Sequence, residues 1–184
     1  MAGLRKASAY TKKTVVPFTR TSKKKGKSYV KTIPPQKIVK FNMGKEGVYR
    51  AGKLPHVLNI YAGERAQIRH NALEACRQYI NKALDKELLG QYFFRVCVYP
   101  HHIQRENKML TGAGSDRMQT GMQLSFGKPV GKSAILKPGT LLFVIAVPTE
   151  KASRFARGVM KKVKPKIPLS IKIVYEELKT PPTK

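Results

Sequence analysis

Thr140-Leu141-Leu142-Phe143-Val144-Ile145-Ala146-Val147-Pro148-Thr149-Glu150-Lys151-Ala152-Ser153-Arg154-Phe155-Ala156-Arg157-Gly158-Val159-Met160-Lys161-Lys162-Val163 is the stretch from which the fold class follows. Its first eight residues form a nearly unbroken apolar run, too short for a membrane span and rich in branched and aromatic side chains. That pattern predicts a central strand. The period then changes. Thr149 can cap a helix and Glu150 falls in its first turn, where the dipole favours an anion. Ala152, Phe155, Ala156, Val159, Met160 and Val163 make an apolar stripe at helical spacing, with cations on the remainder. Pro165 is expected to end the helix.

Working outward, residues 64–88 read as a second and longer helix. Gln67, Asn71, Glu74, Gln78, Asn81 and Asp85 mark a wet face. Ile68, Ala72, Ala75, Cys76, Tyr79, Ile80, Ala83 and Leu84 mark a buried one. Glu64 suits the positive end of the helix and Gly90 its terminus. Strands are predicted at residues 37–43, 56–62, 92–99 and 170–176. Shorter strand pieces are predicted at 123–126 and 133–136, around an interruption at Gly127, Pro129 and Gly131. Residues 45–55 read as a connection, with a short extended piece at Val48 and Tyr49. The order predicts an α+β domain over residues 36–178, with two helices packed on a mixed, largely antiparallel sheet. A basic extended arm precedes it over residues 1–35, and a tail follows over 179–184.

The 184 residues carry 37 Lys and Arg against 10 Asp and Glu, a formal charge of +27. Such a chain repels itself, and a permanent polyanion relieves the repulsion. Nucleic acid fits best, because each neutralised phosphate releases counterions. A membrane surface is the competing polyanion, but no apolar run approaches the roughly 18 residues of a spanning helix. No signal peptide is expected at the N-terminus, which lacks an apolar block. Residues 1–35 hold Arg5, Lys6, Lys12, Lys13, Arg20, Lys23, Lys24 and Lys25 among their cations and no acid. We read them as an arm that orders only against phosphate. Cys76 and Cys97 read as two reduced core thiols.

Residues 101–122 are expected to form a long loop without a steady period. Loops of this length in compact domains tend to be functional or disordered. His101, His102, Arg105, Lys108, Met109, Arg117 and Met118 are its candidate RNA contacts, through phosphate, stacking or a flexible thioether. Arg69, His70, Lys128, Lys132, Arg154, Arg157 and Lys161 are the candidates on the body. Residues 127–133 (GKPVGKS) do not make a phosphate-binding P-loop, since three rather than four residues separate the glycines. Gly112-Ala113-Gly114 lacks the third glycine and the strand–helix setting of a dinucleotide site. His101 or His102 could serve an RNA-acting enzyme, but no acid–base pair stands at a readable spacing. No metal site or cofactor is expected. A free tRNA- or DNA-binding regulator is the third reading.

Pro100-His101-His102, Arg105-Glu106-Asn107-Lys108-Met109, Gly112-Ala113-Gly114, Asp116-Arg117, Gly121-Met122 and Gly127-Lys128-Pro129-Val130-Gly131 together resemble the archaeal and eukaryotic ribosomal protein L10e family. Its bacterial counterpart is L16. Ile68-Arg69-His70-Asn71-Ala72-Leu73-Glu74-Ala75 is similar to the family's first helix, and residues 35–44 to its opening strand. The resemblance runs from about residue 35 to 175. The chain lacks the C-terminal extension of eukaryotic members, which points to an archaeal type, and its first 34 residues depart from the family's Arg-, Pro- and Tyr-rich start. The resemblance implies a hammerhead-like α+β fold and a structural component of the large ribosomal subunit in the cytoplasm, with no catalysis and no small-molecule substrate. The implied partners are large-subunit rRNA, 5S rRNA, the tRNA acceptor arm and neighbouring large-subunit proteins. The body would lie near the central protuberance, with the loop reaching toward the peptidyl transferase centre. Twenty-two residues, out and back, can extend roughly 30 Å.

Overall fold

The structure, a computed structural model, describes residues 6–12, 16–23, 28–107 and 126–178. In chain order the elements are α1 (Ser8–Thr11), β1 (Asn42–Gly44), α2 (Glu46–Arg50), β2 (His56–Ala62), β3 (Ala66–Arg69), α3 (His70–Leu88), β4 (Phe93–Val96), β5 (His102–Glu106), β6 (Lys128–Leu136), β7 (Leu141–Val147), α4 (Glu150–Val163), a 3-10 turn (Lys164–Lys166) and β8 (Ile171–Glu177). This is an α+β fold, and its strands divide between two sheets. One has five strands in the order β1-β4-β7-β2-β8; the other has three, β3-β6-β5. Every strand pair within them is antiparallel.

The apolar run becomes β7, in the middle of the larger sheet, with Leu142, Phe143, Ile145, Ala146 and Val147 fully out of water. The helix after it starts where the sequence predicts: Thr149 Oγ1 accepts the Ala152 N–H at 3.3 Å. Ala156, Met160 and Val163 of α4 and Leu73, Cys76, Ile80 and Leu84 of α3 share one core with Leu58 and Ile60 of β2 and Phe94 of β4. Each Leu, Ile, Val, Met or Phe among them contributes about 1.5–3 kcal/mol through burial. A smaller cluster on the opposite face joins Leu54, Val57, Phe93, Val144 and Ala146, with Tyr49 of α2 stacked on Phe93 at 4.5 Å.

Several expectations are corrected. Residues 66–69 are a strand, not the first turn of a helix. Ala66 to Arg69 pair with Leu136 to Ser133, and this tertiary pairing outweighs the local helical period. Gln67, assigned to a wet face, is buried and accepts hydrogen bonds from Ser133 Oγ at 3.1 Å and Gln104 Nε2 at 3.4 Å. Glu64 does not face a helix N-terminus; it accepts the Ser170 N–H at 2.9 Å. Glu74 is also buried, held by Arg77 and Gln78. Val48 and Tyr49 are helical. The opening strand shrinks to Asn42–Gly44, and the aromatic strand to Phe93–Val96. Cys97 lies beyond it and is exposed, so only Cys76 is a core thiol.

The expected interruption at Gly127–Gly131 is absent, and Lys128–Leu136 runs as one strand. Pro129, which has no N–H, lies where β6 pairs only with β5, because β3 reaches no further than Ser133. A register shift opposite Gln104 and Arg105 takes up the irregularity. The expected loop also begins later, since His102–Glu106 form β5. Its residues 108–122, with Lys108, Met109, Arg117 and Met118, lie outside the described residues, as do 123–125 of the predicted strand piece.

Candidate nucleic-acid interface

Helix α4 presents its cations to solvent. Lys151, Arg154, Arg157, Lys161 and Lys162 are exposed, and the 3-10 turn adds exposed Lys164 and Lys166. The opposite stripe is buried, so the charges share a face by default of the 3.6-residue period. Arg154 also pairs with Glu150 at 2.7 Å, but both side chains are mostly solvated and the pair adds little stability. Of the other body candidates, Lys128 is exposed, while Lys132 and Arg69 are half-buried. Arg69 sets its guanidinium 4.5 Å above the Tyr10 ring.

His70 is not at the surface. It is buried beside Gly131, where an added Cβ would stand 3.2 Å from His70 Nε2. Burial, with Lys37, Lys132 and Arg69 nearby, pulls its pKa down to about 4. The ring packs against Gly131 of β6 at the start of α3, and burial favours its neutral form.

The smaller sheet carries the loop candidates His102 and Arg105 in β5, and part of the arm docks on it. His102, expected on an RNA-facing loop, is buried in β5, and its Nδ1 accepts the Phe18 N–H at 3.0 Å. The Ile103 N–H in turn donates to the Phe18 carbonyl at 2.9 Å. Burial, with Arg105 close by, lowers the His102 pKa to about 4. Arg105 covers the Phe18 ring at 3.7 Å and donates to the Phe126 carbonyl at 2.8 Å, which ties the two ends of the loop together. The Tyr10 hydroxyl donates to Glu106 at 3.2 Å. Described parts of the arm thus dock on the body, where an extended segment is expected from charge alone. Val30, Ser28 and Thr11 are buried, and Ser8–Thr11 is a helical turn. His101 stays exposed.

Of the arm cations, Lys6, Lys12, Arg20 and Lys23 are exposed, while Arg5, Lys13, Lys24 and Lys25 lie outside the described residues. Sequence reading misses Tyr10 and Phe18 as anchors of the arm. Their signal is present, since they are two of the few aromatic side chains in an otherwise basic segment. It also passes over Lys164 and Lys166, which extend the α4 face. Among the described residues, no group of three or more His, Cys, Asp or Glu could hold a metal. No described helix is long and apolar enough to cross a membrane.

The fold and this surface define an α+β protein with a cationic helix face and a basic arm docked on a small sheet. The family model for ribosomal protein L16p/L10e matches residues 17–174. The chain is 41% identical over 177 residues to the large ribosomal subunit protein uL16 of Staphylothermus marinus, covering 96% of this chain and 95% of that protein. It is 43% identical over 164 residues to uL16 of Hyperthermus butylicus, with 89% and 85% covered. It is 40% identical over 178 residues to uL16 of Sulfolobus acidocaldarius, with 95% of each covered. The chain belongs to the L16p/L10e family of ribosomal proteins.

Proposed function

We propose that this protein is a structural constituent of the large ribosomal subunit, of archaeal type, and that it works by position rather than chemistry. The observation that carries the reading is the family match along almost the whole chain, with relatives named as large-subunit proteins that are covered nearly end to end. Its partners are ribosomal RNA and neighbouring ribosomal proteins. It is not an enzyme.

A finer assignment is part of the proposal and rests on the family resemblance together with the charge of the surface. The exposed cations of α4 and the arm neutralise phosphates and set the protein's place. The two ends of the loop leave from β5 and β6, which the sheet, the Phe18 clamp and the Arg105–Phe126 hydrogen bond hold in register. A rigid root of this kind lets residues 107–127 enter an RNA crevice. We assign the loop to the tRNA acceptor arms near the peptidyl transferase centre, and the body to the region of the central protuberance and 5S rRNA. Among the loop candidates, His101, Arg105, Lys108, Met109, Arg117 and Met118 are the RNA contacts, and His102 is a positioning residue.

Sedimentation of a cell lysate through a high-magnesium gradient tests the reading. One copy of the chain is expected in each large subunit and each complete ribosome. A chain found chiefly free at the top of the gradient would overturn the assignment.

A further inference from the structure

Three rings stand in a row beside the root of the loop. Tyr99 packs against both Phe41, with centroids 5.5 Å apart and planes at 23°, and His101, at 4.5 Å and 46°. Phe41 is half-buried against the main core, and its carbonyl accepts the Val96 N–H at 2.8 Å, so the inner end of the row is anchored. Pro100, between the outer two rings, is buried and fixes the backbone there. The outer end is open: Tyr99 is 44% exposed, His101 is exposed, and nearby in sequence Val39 is 75% exposed.

An exposed ring on this protein can be shielded in other ways. Tyr79, for instance, carries the Lys166 ammonium 5.6 Å from its centroid. Among the described residues the row at Tyr99 has no such lid; it ends in a pre-ordered aromatic face. Charge indicates what the face takes. Residues 31–45 and 91–105, which supply the three rings, carry Lys31, Lys37, Lys40, Lys45, Arg95 and Arg105 and no acid. An exposed aromatic surface on cation-rich segments fits an unpaired nucleobase, whose π-face stacks while its phosphates meet cations.

We propose that Tyr99 and His101, backed by Phe41, form a stacking platform for an unpaired base of RNA. The inference rests on the RNA-binding reading above and gives it a local chemistry that is independent of phosphate contact. Base–aromatic stacking tolerates any sequence, because every base has a π-face. The platform therefore recognises an extruded or single-stranded nucleotide rather than a particular letter.

The test uses the full chain and two labelled single strands of equal phosphate number, an oligoadenylate and its abasic counterpart, titrated at several salt concentrations. The wild type is expected to bind the base-bearing strand about fivefold or more tightly than the abasic one. The Tyr99→Leu/His101→Ala double variant should lose that preference, its affinity for the base-bearing strand falling to that for the abasic one. Tyr99→Phe, which retains the ring, should restore the preference. Thermal unfolding of each variant confirms the fold; His101→Ala alone, at an exposed position, serves if Tyr99→Leu does not fold, and should weaken the preference. A preference undiminished in the folded variants, or absent in the wild type, overturns the platform. Loss of salt-dependent binding to both strands by the wild type would instead overturn the RNA-binding reading, and the platform with it.

Discussion

Acid should destabilise this protein through two histidines well before its carboxylates titrate. His70 and His102 are both buried, and each is held to a pKa of about 4 against an ordinary value of 6.5. The folded protein therefore binds fewer protons than the unfolded chain across this interval. The stability that the two rings protect is fully present above about pH 6.5 and falls as the pH drops toward 4. The gap amounts to about 3 kcal/mol per ring when protonation is complete, and to about 2 kcal/mol per ring at pH 5. Two rings together remove about 4 kcal/mol at pH 5, a large part of the 5–15 kcal/mol typical of a domain. Glu74 acts elsewhere: the Arg77 hydrogen bonds hold its carboxyl below the ordinary 4.5, so its contribution persists above that value and is lost beneath it. Urea midpoints at pH 7, 6 and 5, with the imidazole signals followed by NMR, measure the effect. His102→Asn offers a side-chain carbonyl to the Phe18 N–H in place of Nδ1, and should flatten about half of the pH dependence. Equal midpoints at pH 7 and 5, or rings titrating near 6.5, would refute the reasoning.

Other outcomes follow from single contacts. Gly44 has φ +81°, and a Cβ there would lie 2.1 Å from the Tyr92 carbonyl oxygen; Gly44→Ala should cost about 3 kcal/mol or more in a denaturant titration, by forcing β1 from β4. Arg77→Ala strands the Glu74 carboxylate, whose side chain is 11% exposed, and should cost about 3 kcal/mol at pH 7 and less at pH 3, where the carboxyl takes up a proton. Replacing residues 108–125 by a short flexible linker should leave the thermal transition in place but impair translation by subunits carrying the variant. Extending the same deletion back to Ile103 would remove most of β5 and abolish the transition itself. Normal translation with the shorter variant would refute the role assigned to the loop.

Strands β2 and β7 and helix α4 were legible because each carries its own evidence. The His56–Ala62 run, the Leu141–Val147 run, and the Thr149 cap with its stripe are local patterns that one segment can display alone. The cationic face of α4 was legible for the same reason. Residues 66–69 were not, because Gln67 and Ile68 continue the helical period of the segment that follows, and only the remote partner residues 133–136 draw them into a strand. His102 reads as an ordinary loop histidine until β6 and Phe18 close over it. Glu74 reads as a wet-face acid until Arg77, a turn away, folds over it in the interior.

By itself, the sequence determined the α+β class, the polyanion partner and the family, since charge, period and a long joint motif are properties of the chain. Tertiary structure decided the division into two sheets, the docking of the arm, and which of the candidate cations and rings face outward. Those depend on the register between distant strands: a neutral imidazole is tolerated in the interior only where a specific backbone N–H or a missing Cβ makes room for it, and neither condition is visible within one segment.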